Sequence, residues 1–358
     1  MRKAFAVFSI VLVLMATRAR GQAPAFTPFG IIPVLDAYLD SLRQQAGIPG
    51  MSAALVREGT VIWDKGYGFQ NLSARQVATP DTPYLVGDLT GTLAAVLLLQ
   101  CVEQRRLDLD APLRRYGLDL SETDVTLRQV LSHTYFNSTP EPFVYSPERY
   151  ARLTRVMEWC APQPYRKSVA HRVLNFLAMS NSVPGTDLQD PGLRLPEGLF
   201  DPSHLERYRN VLSRMAVPYK IEGRGRAQPT QLTPFGINAA DGLVSTVRDL
   251  AKLDGALDER DLLHDETLEL AWNPTIGRRG TPVPMGLGWF VQYHRGHRVI
   301  WHFGYTPNAY SALFIKVPDR NVTLILLANS DGLSAPFQLP QGDVTRSLFA
   351  AVFLRLVT

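Results

Sequence analysis

Residues 289–328 read WFVQYHRGHRVIWHFGYTPNAYSALFIKVPDRNVTLILLA and contain four strand-like segments in a row. Each segment is short and rich in β-branched and aromatic residues, and turn-forming residues separate the members of each pair, first Arg295-Gly296 and then Pro318 to Asn321. This pattern is typical of antiparallel hairpins. The segments are Trp289 to His294, Arg298 to His302, Tyr310 to Val317 and Val322 to Ala328.

The other end of the chain carries a similar pattern. Apolar residues at helical spacing predict a helix over Pro33 to Ala46, and Met51 to Arg57 with Val61 to Gly68 predict a hairpin around Glu58-Gly59. A helix is also predicted at the far end, over Val344 to Leu354. Strands at both ends and helices between them predict an α+β fold. We expect an antiparallel sheet built from both chain ends and flanked by helices, with an inserted, mostly helical lobe.

Three features organise the middle of the chain. Asp88 to Arg106 predicts a helix that is apolar on nearly every face and therefore buried. Ser245 to Leu250 combines a capping residue with an acid three positions later, which is typical of a helix start. Ser182 to Pro234 is rich in Pro, Gly and Arg and is interpreted as a long excursion from the core.

Composition excludes several classes of protein. The chain has 358 residues, of which 46% are hydrophobic and 20% charged, and this excludes a disordered or fibrous protein. Its formal charge of +4 comes from 37 Lys plus Arg against 33 Asp plus Glu. Four of the bases lie in positions 1–23, which hold no acid, and removing them leaves a formal charge of zero. With no block of basic residues elsewhere, we expect no nucleic-acid partner.

Positions 1–23 resemble an export signal. Met1-Arg2-Lys3 is a basic start, Ala4 to Ala16 is an apolar run, and Ala19 to Ala23 offers small residues for cleavage. The run is too short to cross a bilayer, so we expect a periplasmic or secreted protein with no stable membrane span after cleavage. Export permits disulfides, yet Cys101 and Cys160 each lie in an apolar helical pattern and are interpreted as buried thiols rather than a bridge.

Seven stretches, taken together and in order, resemble the serine beta-lactamase and penicillin-binding protein superfamily, in particular its class C beta-lactamase, DD-peptidase and carboxylesterase branch. The resemblance implies a beta-lactamase-like domain over 24–358, with a sheet lobe at about 30–85 and 285–358 and a helical lobe at about 86–284. The stretches are Gly47 to Gly50, Tyr84 to Asp110, Val130 to Thr134, Pro142 to Ser146, Asp241 to Thr246, Gly286 to Trp289 and Trp301 to Gly304.

The resemblance also implies three catalytic elements around a cleft between the lobes. A Ser-x-x-Lys motif at the start of the buried helix supplies a nucleophile and an activating amine. A Tyr-x-Asn motif supplies a phenol for proton transfer and an amide that orients the substrate. A Lys/His-x-Gly motif on a strand edge supplies a polar group and a backbone N–H for the oxyanion.

This sequence departs from the first element. Ungapped placement of Tyr84 and Leu107 on the family pattern puts Asp88 at the nucleophile position and Gly91 at the lysine position. No lysine elsewhere follows a serine by three residues, and no Gly-x-Ser-x-Gly elbow occurs. Asp88 at a helix start is expected to cap the helix by accepting backbone N–H bonds.

The other two elements survive in part. Tyr145-Ser146-Pro147 keeps the tyrosine, while Pro147 replaces the asparagine; Tyr135-Phe136-Asn137 and Tyr208-Arg209-Asn210 also spell Tyr-x-Asn in less similar surroundings. His302-Phe303-Gly304 fits the third element, and Tyr305 is a candidate donor of the second oxyanion N–H. The alternative interpretations are an aromatic packed in the helical lobe for Tyr145 and an ordinary strand histidine for His302.

These observations lead to three hypotheses. The first is an exported, catalytically degenerate protein, a pseudoenzyme, that binds a small-molecule, peptide or cell-wall ligand in the cleft. The second is a working hydrolase acting on esters, D-alanyl peptides or beta-lactams, with Asp88 activating water beside Tyr145 and His302, or with Thr90, Thr92 or Ser132 as nucleophile. The third is a scaffold whose interaction surface lies outside the cleft. We expect no cofactor and no metal, because the histidines lack ligand spacing.

Overall fold

The computed structural model describes residues 28–120, 124–134, 143–277 and 279–358. The export-signal prediction therefore lies outside the described residues, as does Tyr135-Phe136-Asn137. The strands are β1 Gly50–Arg57, β2 Thr60–Asn71, β3 Gln76–Val77, β4 Tyr84–Leu85, β5 Val183–Pro184, β6 Tyr219–Glu222, β7 Arg226–Pro229, β8 Leu243–Ser245, β9 Phe290–His294, β10 His297–Thr306, β11 Tyr310–Val317 and β12 Val322–Ala328. The α-helices are α1 Pro28–Gln45, α2 Thr90–Glu103, α3 Leu127–Leu131, α4 Pro147–Ala151, α5 Leu153–Cys160, α6 Tyr165–Val169, α7 Pro202–Ser213, α8 Val247–Asp258, α9 Asp265–Ala271 and α10 Leu348–Val357.

The main sheet joins the two ends of the chain, as predicted. Seven antiparallel strands lie in the order β3-β2-β1-β12-β11-β10-β9. The first long strand pairs directly with the last, with Ala53 opposite Leu326. In turn, Leu326 lies opposite Leu313 of β11. The two hairpins predicted within residues 289–328 therefore form one half of this sheet, and the N-terminal hairpin with β3 forms the other half.

The central strands are apolar on both faces because the sheet is covered on both sides. Leu324 and Leu326 of β12 face one core, which is closed by α1 and α10, whereas Ile325 and Leu327 face the core that contains α2, α5 and α8. Alternate side chains of a strand point to opposite faces, so both sets are buried. Helix α2 is buried along nearly its whole length, as its uniform hydrophobicity predicts.

Helix α8 begins where the sequence predicts. Thr246 is its N-cap, and the Thr246 side chain accepts a hydrogen bond from the backbone N–H of Asp249. The segment predicted as an excursion from Ser182 to Pro234 contains elements of its own, α7 and the β6–β7 hairpin. Strand β10 extends to Thr306, four residues past its predicted end.

The interpretation of the cysteines as free thiols is wrong. Cys101 of α2 and Cys160 of α5 form a disulfide, with their Cα atoms 6.4 Å apart. Each cysteine does lie in an apolar helix, but the two helices pack side by side and bring the sulfurs together. The bridge closes a separation of 59 residues and ties the buried helix to its neighbour.

Within the described ranges, no helix combines the length and the hydropathy that crossing a bilayer requires.

Candidate functional site

The site is built at the start of helix α2. Strand β4 pairs with β8, with Tyr84 opposite Ser245, and the chain then passes through a 3-10 turn, Gly87–Leu89, into the helix. The Tyr84 hydroxyl lies 2.9 Å from the Ser52 hydroxyl of β1, which ties this turn to the main sheet. The sequence therefore places Asp88 in the last turn before the helix, at the boundary between the sheet and the helices.

Two glycines let the turn approach strand β10. A Cβ at Gly304 would lie 1.8 Å from the Val86 carbonyl oxygen, and a Cβ at Gly87 would lie 2.7 Å from the Tyr305 amide nitrogen. Only glycine tolerates such distances to backbone atoms. The backbone of the turn that carries Asp88 is therefore adjacent to the backbone of Tyr305.

A small cavity lies at this boundary. The space that the centre of a water molecule can reach inside it is about 10 Å³, which is the room that roughly one water needs. It brings together Asp88, Gly91, Tyr145 and His302, four of the residues that the sequence singled out, with Pro147 at its rim. Its lining residues are Asp88, Gly91, His133, Tyr145, Pro147, Tyr150, Ala240 and His302.

The Asp88 carboxyl is partly buried, and among the described residues it has no hydrogen-bond or ion-pair partner. The expected cap is absent, because neither the turn nor α2 has a side-chain capping bond. Burial raises the pKa of Asp88 well above its ordinary value, and the charge of Asp241 raises it further. The site therefore favours a neutral carboxyl where the resemblance implies a nucleophile.

Asp241 is a second acid that the sequence analysis did not select. Burial raises its pKa to about 6, against a lowering contribution from the Gly242 backbone N–H, which donates to its carboxylate at 2.6 Å. Its only signal in the sequence was its position in the similar stretch Asp241 to Thr246. Two acids that repel each other in a buried site cannot both ionise freely at neutral pH.

Gly91 faces Tyr150 across the cavity. The Tyr150 hydroxyl donates to the Gly91 carbonyl oxygen at 3.0 Å. A Cβ at position 91 would lie 3.3 Å from the Tyr150 Cε1 atom, so a side chain there requires this ring to shift by a few tenths of an ångström. Tyr150 is buried, and its spacing of five residues from Tyr145 gave no sign of this role.

Tyr145 lies in the cavity wall, and it also packs among aromatic rings. Its ring centroid is 4.6 Å from that of His133 and 5.3 Å from that of Phe303. These rings come from the helical lobe, His133, and from strand β10, Phe303, so Tyr145 packs at the boundary between the lobes and not within the helical lobe alone. Burial raises its pKa well above the ordinary value, and Asp88 raises it further, so the phenol stays protonated. Pro147 is the first residue of α4, where a missing N–H is harmless.

His302 is buried on β10 and is held in one tautomer. Its Nδ1 lies 2.7 Å from the Phe303 carbonyl oxygen, which can only accept, so Nδ1 carries the proton. Burial lowers the pKa of His302 to about 4, against a raising contribution from that hydrogen bond. The neutral ring therefore presents Nε2 as an acceptor. Strand alternation points the Tyr305 side chain to the opposite face from His302, while the Tyr305 backbone lies beside the turn that carries Asp88.

His133 is the complementary group, and the sequence analysis missed it. The backbone N–H of Ser146 donates to its Nδ1 at 3.0 Å, so the proton of the neutral ring is on Nε2. Burial lowers the pKa of His133 to about 3, and the proximity of His302 lowers it further. The wall thus offers a donor and an acceptor from two neutral histidines. Val130 to Thr134 was a similar stretch, but no ligand spacing marked His133 within it.

The alternative nucleophiles lie outside the cavity and have other partners. The Thr90 hydroxyl accepts from the Leu243 N–H at 3.2 Å, the Thr92 hydroxyl donates to the Leu89 carbonyl oxygen, and the Ser132 hydroxyl donates to the Arg128 carbonyl oxygen. None of the five lysines within the described ranges lines the cavity. Within those ranges no group of three or more His, Cys, Asp or Glu residues could hold a metal.

Comparison with known proteins gives a consistent result. The Beta-lactamase family model matches residues 35–341. Over 318 residues the chain is 24% identical to the unguisins hydrolase ungD' of Aspergillus campestris, covering 79% of this chain and 59% of that protein. It is 26% identical to protein flp of Staphylococcus aureus over 106 residues, 28% of this chain and 21% of flp. The chain therefore spans less than two thirds of the length of either relative.

Solved structures agree on the fold. The penicillin-binding protein homologue from Pyrococcus abyssi, described as octameric, superposes with a TM-score of 0.71 at 22% identity, covering 90% of this chain and 77% of that one. The crystal structure of SurE superposes with a TM-score of 0.66 at 21% identity, covering 86% and 73%. At such identities the likeness establishes the α+β architecture alone.

Proposed function

Since this chain belongs to the Beta-lactamase family, we propose that it is a catalytically degenerate member that binds a peptide or acyl ligand at the cavity without forming an acyl-enzyme. One observation carries the proposal: Asp88 and Gly91 occupy the cavity where the family resemblance implies a serine and a lysine. The phenols of Tyr145 and Tyr150 remain, but no amine accompanies them among the described lining residues.

A carboxyl cannot replace the missing serine in acyl transfer. A carboxylate is a weak nucleophile toward an amide, and its attack would give a reactive anhydride in place of a stable ester. The raised pKa of Asp88 reduces the nucleophilic fraction still further. In serine hydrolases, loss of the nucleophile alone lowers turnover by a factor on the order of 10⁶.

The groups that remain are suited to holding a carbonyl group. The turn that carries Asp88 lies against the Tyr305 backbone. In this proposal the amide N–H groups of Asp88 and Tyr305 bind the carbonyl oxygen of the ligand. A protonated Asp88 donates one hydrogen bond, and Nε2 of His302 accepts one. Because the cavity has room for about one water, only the carbonyl end of a ligand enters. The rest lies along the end of β10 beyond Trp301, which is not paired with β9.

Reversible binding tests this function. We expect an N-acylated D-alanyl-D-alanine peptide to bind with a measurable Kd by calorimetry and to be recovered intact after overnight incubation. Asp88→Asn keeps a donor and is expected to retain binding, whereas Gly304→Ala forces the β10 backbone away from Val86 and is expected to abolish it. Lys220→Gln, an exposed change on β6, is the matched control. The proposal is rejected if none of the D-alanyl peptides, amides and esters tested binds.

A second function is favoured by one observation: the unpaired Asp88 carboxyl borders space for about one water. In this hydrolase the Asp88 carboxylate takes a proton from that water, whose oxygen attacks the ligand's carbonyl carbon. The Asp88 carboxyl then returns this proton to the leaving group as its bond to the carbonyl carbon breaks, while Tyr145 and His133 donate hydrogen bonds. Turnover of p-nitrophenyl acetate would separate the two functions. Turnover that Asp88→Asn removes supports the hydrolase, and absence of turnover with retained binding supports degeneracy.

Export belongs to the same proposal and rests on positions 1–23. The basic start, the apolar run and the small residues after it predict cleavage near Ala19 to Ala23. Sequencing the N-terminus of the protein recovered from outside the cytoplasm tests this directly, and an intact Met1 there would contradict it.

A further inference from the structure

A second concave site lies at the opposite end of helix α2 from Asp88. It is a cavity of about 530 Å³, within the range of small-molecule pockets. The 14 residues of α2 separate it from the first cavity by roughly 20 Å at 1.5 Å per residue. Its wall combines the end of α2, the segment that follows, and Trp159 from the last turn of α5. The Cys101–Cys160 disulfide joins these two helices directly behind it.

Its wall carries positive charge that is only partly neutralised. Arg105, Arg106, Arg115 and Arg128 line it together with two acids, Asp108 and Asp110. Asp110 forms an ion pair with Arg128, whose guanidinium donates to both carboxylate oxygens of Asp110 at 2.7 and 2.9 Å. Asp108 accepts from the backbone N–H of Asp110 and also acts on Arg128, whose pKa it helps to raise.

Three arginines are thus left facing the cavity. Arg105 and Arg115 are exposed and have no hydrogen-bond or ion-pair partner among the described residues. The Arg106 guanidinium donates only to the Cys160 carbonyl oxygen, at 3.3 Å, so most of its N–H groups are unused. Planar guanidinium groups with free donors match the oxygens of phosphate and carboxylate groups.

An exposed aromatic ring completes the wall. Trp159 is 49% exposed although it is the largest side chain type, and Tyr116 holds it edge-on with ring centroids 4.9 Å apart. The Tyr116 ring is buried, and its hydroxyl accepts from the Asp108 N–H at 2.9 Å. The Trp159 ring therefore lines the cavity with about half of its surface exposed. An exposed indole stacks on an aromatic base or on the apolar face of a sugar.

We propose that this cavity is a binding site for a small ligand that joins two or more phosphate or carboxylate groups to a ring, such as a nucleoside diphosphate or a sugar bisphosphate. The arginines bind the anionic groups, and Trp159 stacks on the ring. The site is independent of the proposed carbonyl-binding cavity, because it shares no residue with it. Long nucleic acids do not fit this description, since the charged wall is confined to one pocket.

Calorimetry with four probes tests the site: ADP, glucose 1,6-bisphosphate, pyrophosphate and adenosine, each at low salt. We expect ADP or glucose 1,6-bisphosphate to bind with a Kd tighter than about 1 mM. Pyrophosphate and adenosine, which have only one of the two features, are expected to bind more weakly. Tighter binding of ADP than of glucose 1,6-bisphosphate would show that the site prefers an aromatic base, and the reverse order would show that it prefers a sugar ring.

Variants connect the binding to the named side chains. Arg105→Gln with Arg115→Gln is expected to lower the affinity for the bound probe about tenfold or more, because charge-assisted hydrogen bonds are lost. Trp159→Ser is expected to lower the affinity for ADP and glucose 1,6-bisphosphate but not for pyrophosphate. The control, Lys220→Gln, is expected to leave every affinity unchanged. Matched thermal unfolding shows that the variants fold. Three results would overturn the proposal. The first is that neither ring-bearing probe binds saturably, and the second is that pyrophosphate binds as tightly as the ring-bearing probes. The third is that Lys220→Gln lowers the affinity as much as the arginine pair does.

Discussion

The Tyr150 ring lies against Gly91, with its hydroxyl hydrogen-bonded to the Gly91 carbonyl oxygen at 3.0 Å and its Cε1 atom 3.3 Å from the place where a Cβ would be. A lysine at position 91 would have to displace this ring before its amine reached position 88. In the proposed degenerate site, the departure from the family pattern therefore includes Tyr150 as well as positions 88 and 91, because its ring lies where a side chain at position 91 would begin.

Restoring the motif is expected to fail for this reason. We predict that Asp88→Ser with Gly91→Lys gains little or no labelling by fluorescent penicillin, and that adding Tyr150→Ala, which frees the space, gains more. Gel fluorescence after incubation measures both variants, with Asp88→Ser alone as the control. Strong labelling of the double variant would show that the Tyr150 ring moves freely.

Asp88 is expected to lower the stability of the folded protein at neutral pH. A carboxyl whose folded pKa is raised contributes stability below the unfolded pKa of about 4 and loses it as pH rises. Asp88→Asn should therefore raise the free energy of unfolding at pH 7 by about 1 kcal/mol or more, because asparagine does not ionise and one pKa unit corresponds to about 1.4 kcal/mol. Urea titrations at pH 7 and pH 3.5 measure this gain, which should shrink at the lower pH. Destabilisation at pH 7 would indicate a structural role for the carboxylate.

His302 is expected to stay neutral well below the ordinary histidine range. Its folded pKa of about 4 is depressed from 6.5, so its contribution to stability is present above pH 6.5 and is lost as pH falls toward 4. Nitrogen NMR of the ring should show the Nδ1-protonated tautomer at pH 6. A midpoint near 6.5 would mean that the ring is hydrated and the cavity open.

The disulfide is expected to stabilise the protein substantially. Closing a separation of 59 residues corresponds to about 4 kcal/mol in the chain-entropy model. Cys101→Ala with Cys160→Ala should lower the free energy of unfolding by about 2 to 5 kcal/mol, measured by urea titration. Thiol titration of the denatured, unreduced protein should find no free thiol. Two free thiols would restore the interpretation that the structure overturns.

Lys316 forms a buried ion pair that links the sheet to helix α8. Its amine donates to Asp254 at 2.9 Å and to Asp258 at 2.7 Å, and Lys316 and Asp254 are both fully buried. Lys316→Met alone leaves Asp254 buried without its partner and should destabilise the protein by about 3 to 5 kcal/mol. Adding Asp254→Leu should recover most of that loss. Additive losses in the double variant would contradict this account.

Much of the fold was predictable from local pattern. The strands Tyr310–Val317 and Val322–Ala328 have the bounds that their turn residues predict, and Thr246 caps α8 as its spacing to Asp249 predicts. The end of β10 was not predictable, because it depends on how closely Gly304 approaches Val86. The disulfide was missed for a similar reason, since sequence does not tell which apolar helices become neighbours.

The candidate site was predictable where it follows the family pattern. Asp88, Gly91, Tyr145 and His302 line one cavity, although their roles there stay proposals. The tautomers of His302 and His133 depend on single backbone hydrogen bonds, from Nδ1 of His302 and to Nδ1 of His133, that no sequence pattern marks. The same holds for Asp88, whose expected cap is absent because its carboxyl faces the cavity instead of the backbone N–H groups of the turn.

Intact-protein mass spectrometry tests the central claim most directly. The purified chain is incubated with benzylpenicillin and, separately, with a fluorophosphonate, and its mass is compared with that of the untreated chain. Our account predicts an unchanged mass with both reagents, because the cavity has a carboxyl at position 88 and no amine at position 91. A stoichiometric adduct on any residue lining this cavity would contradict it.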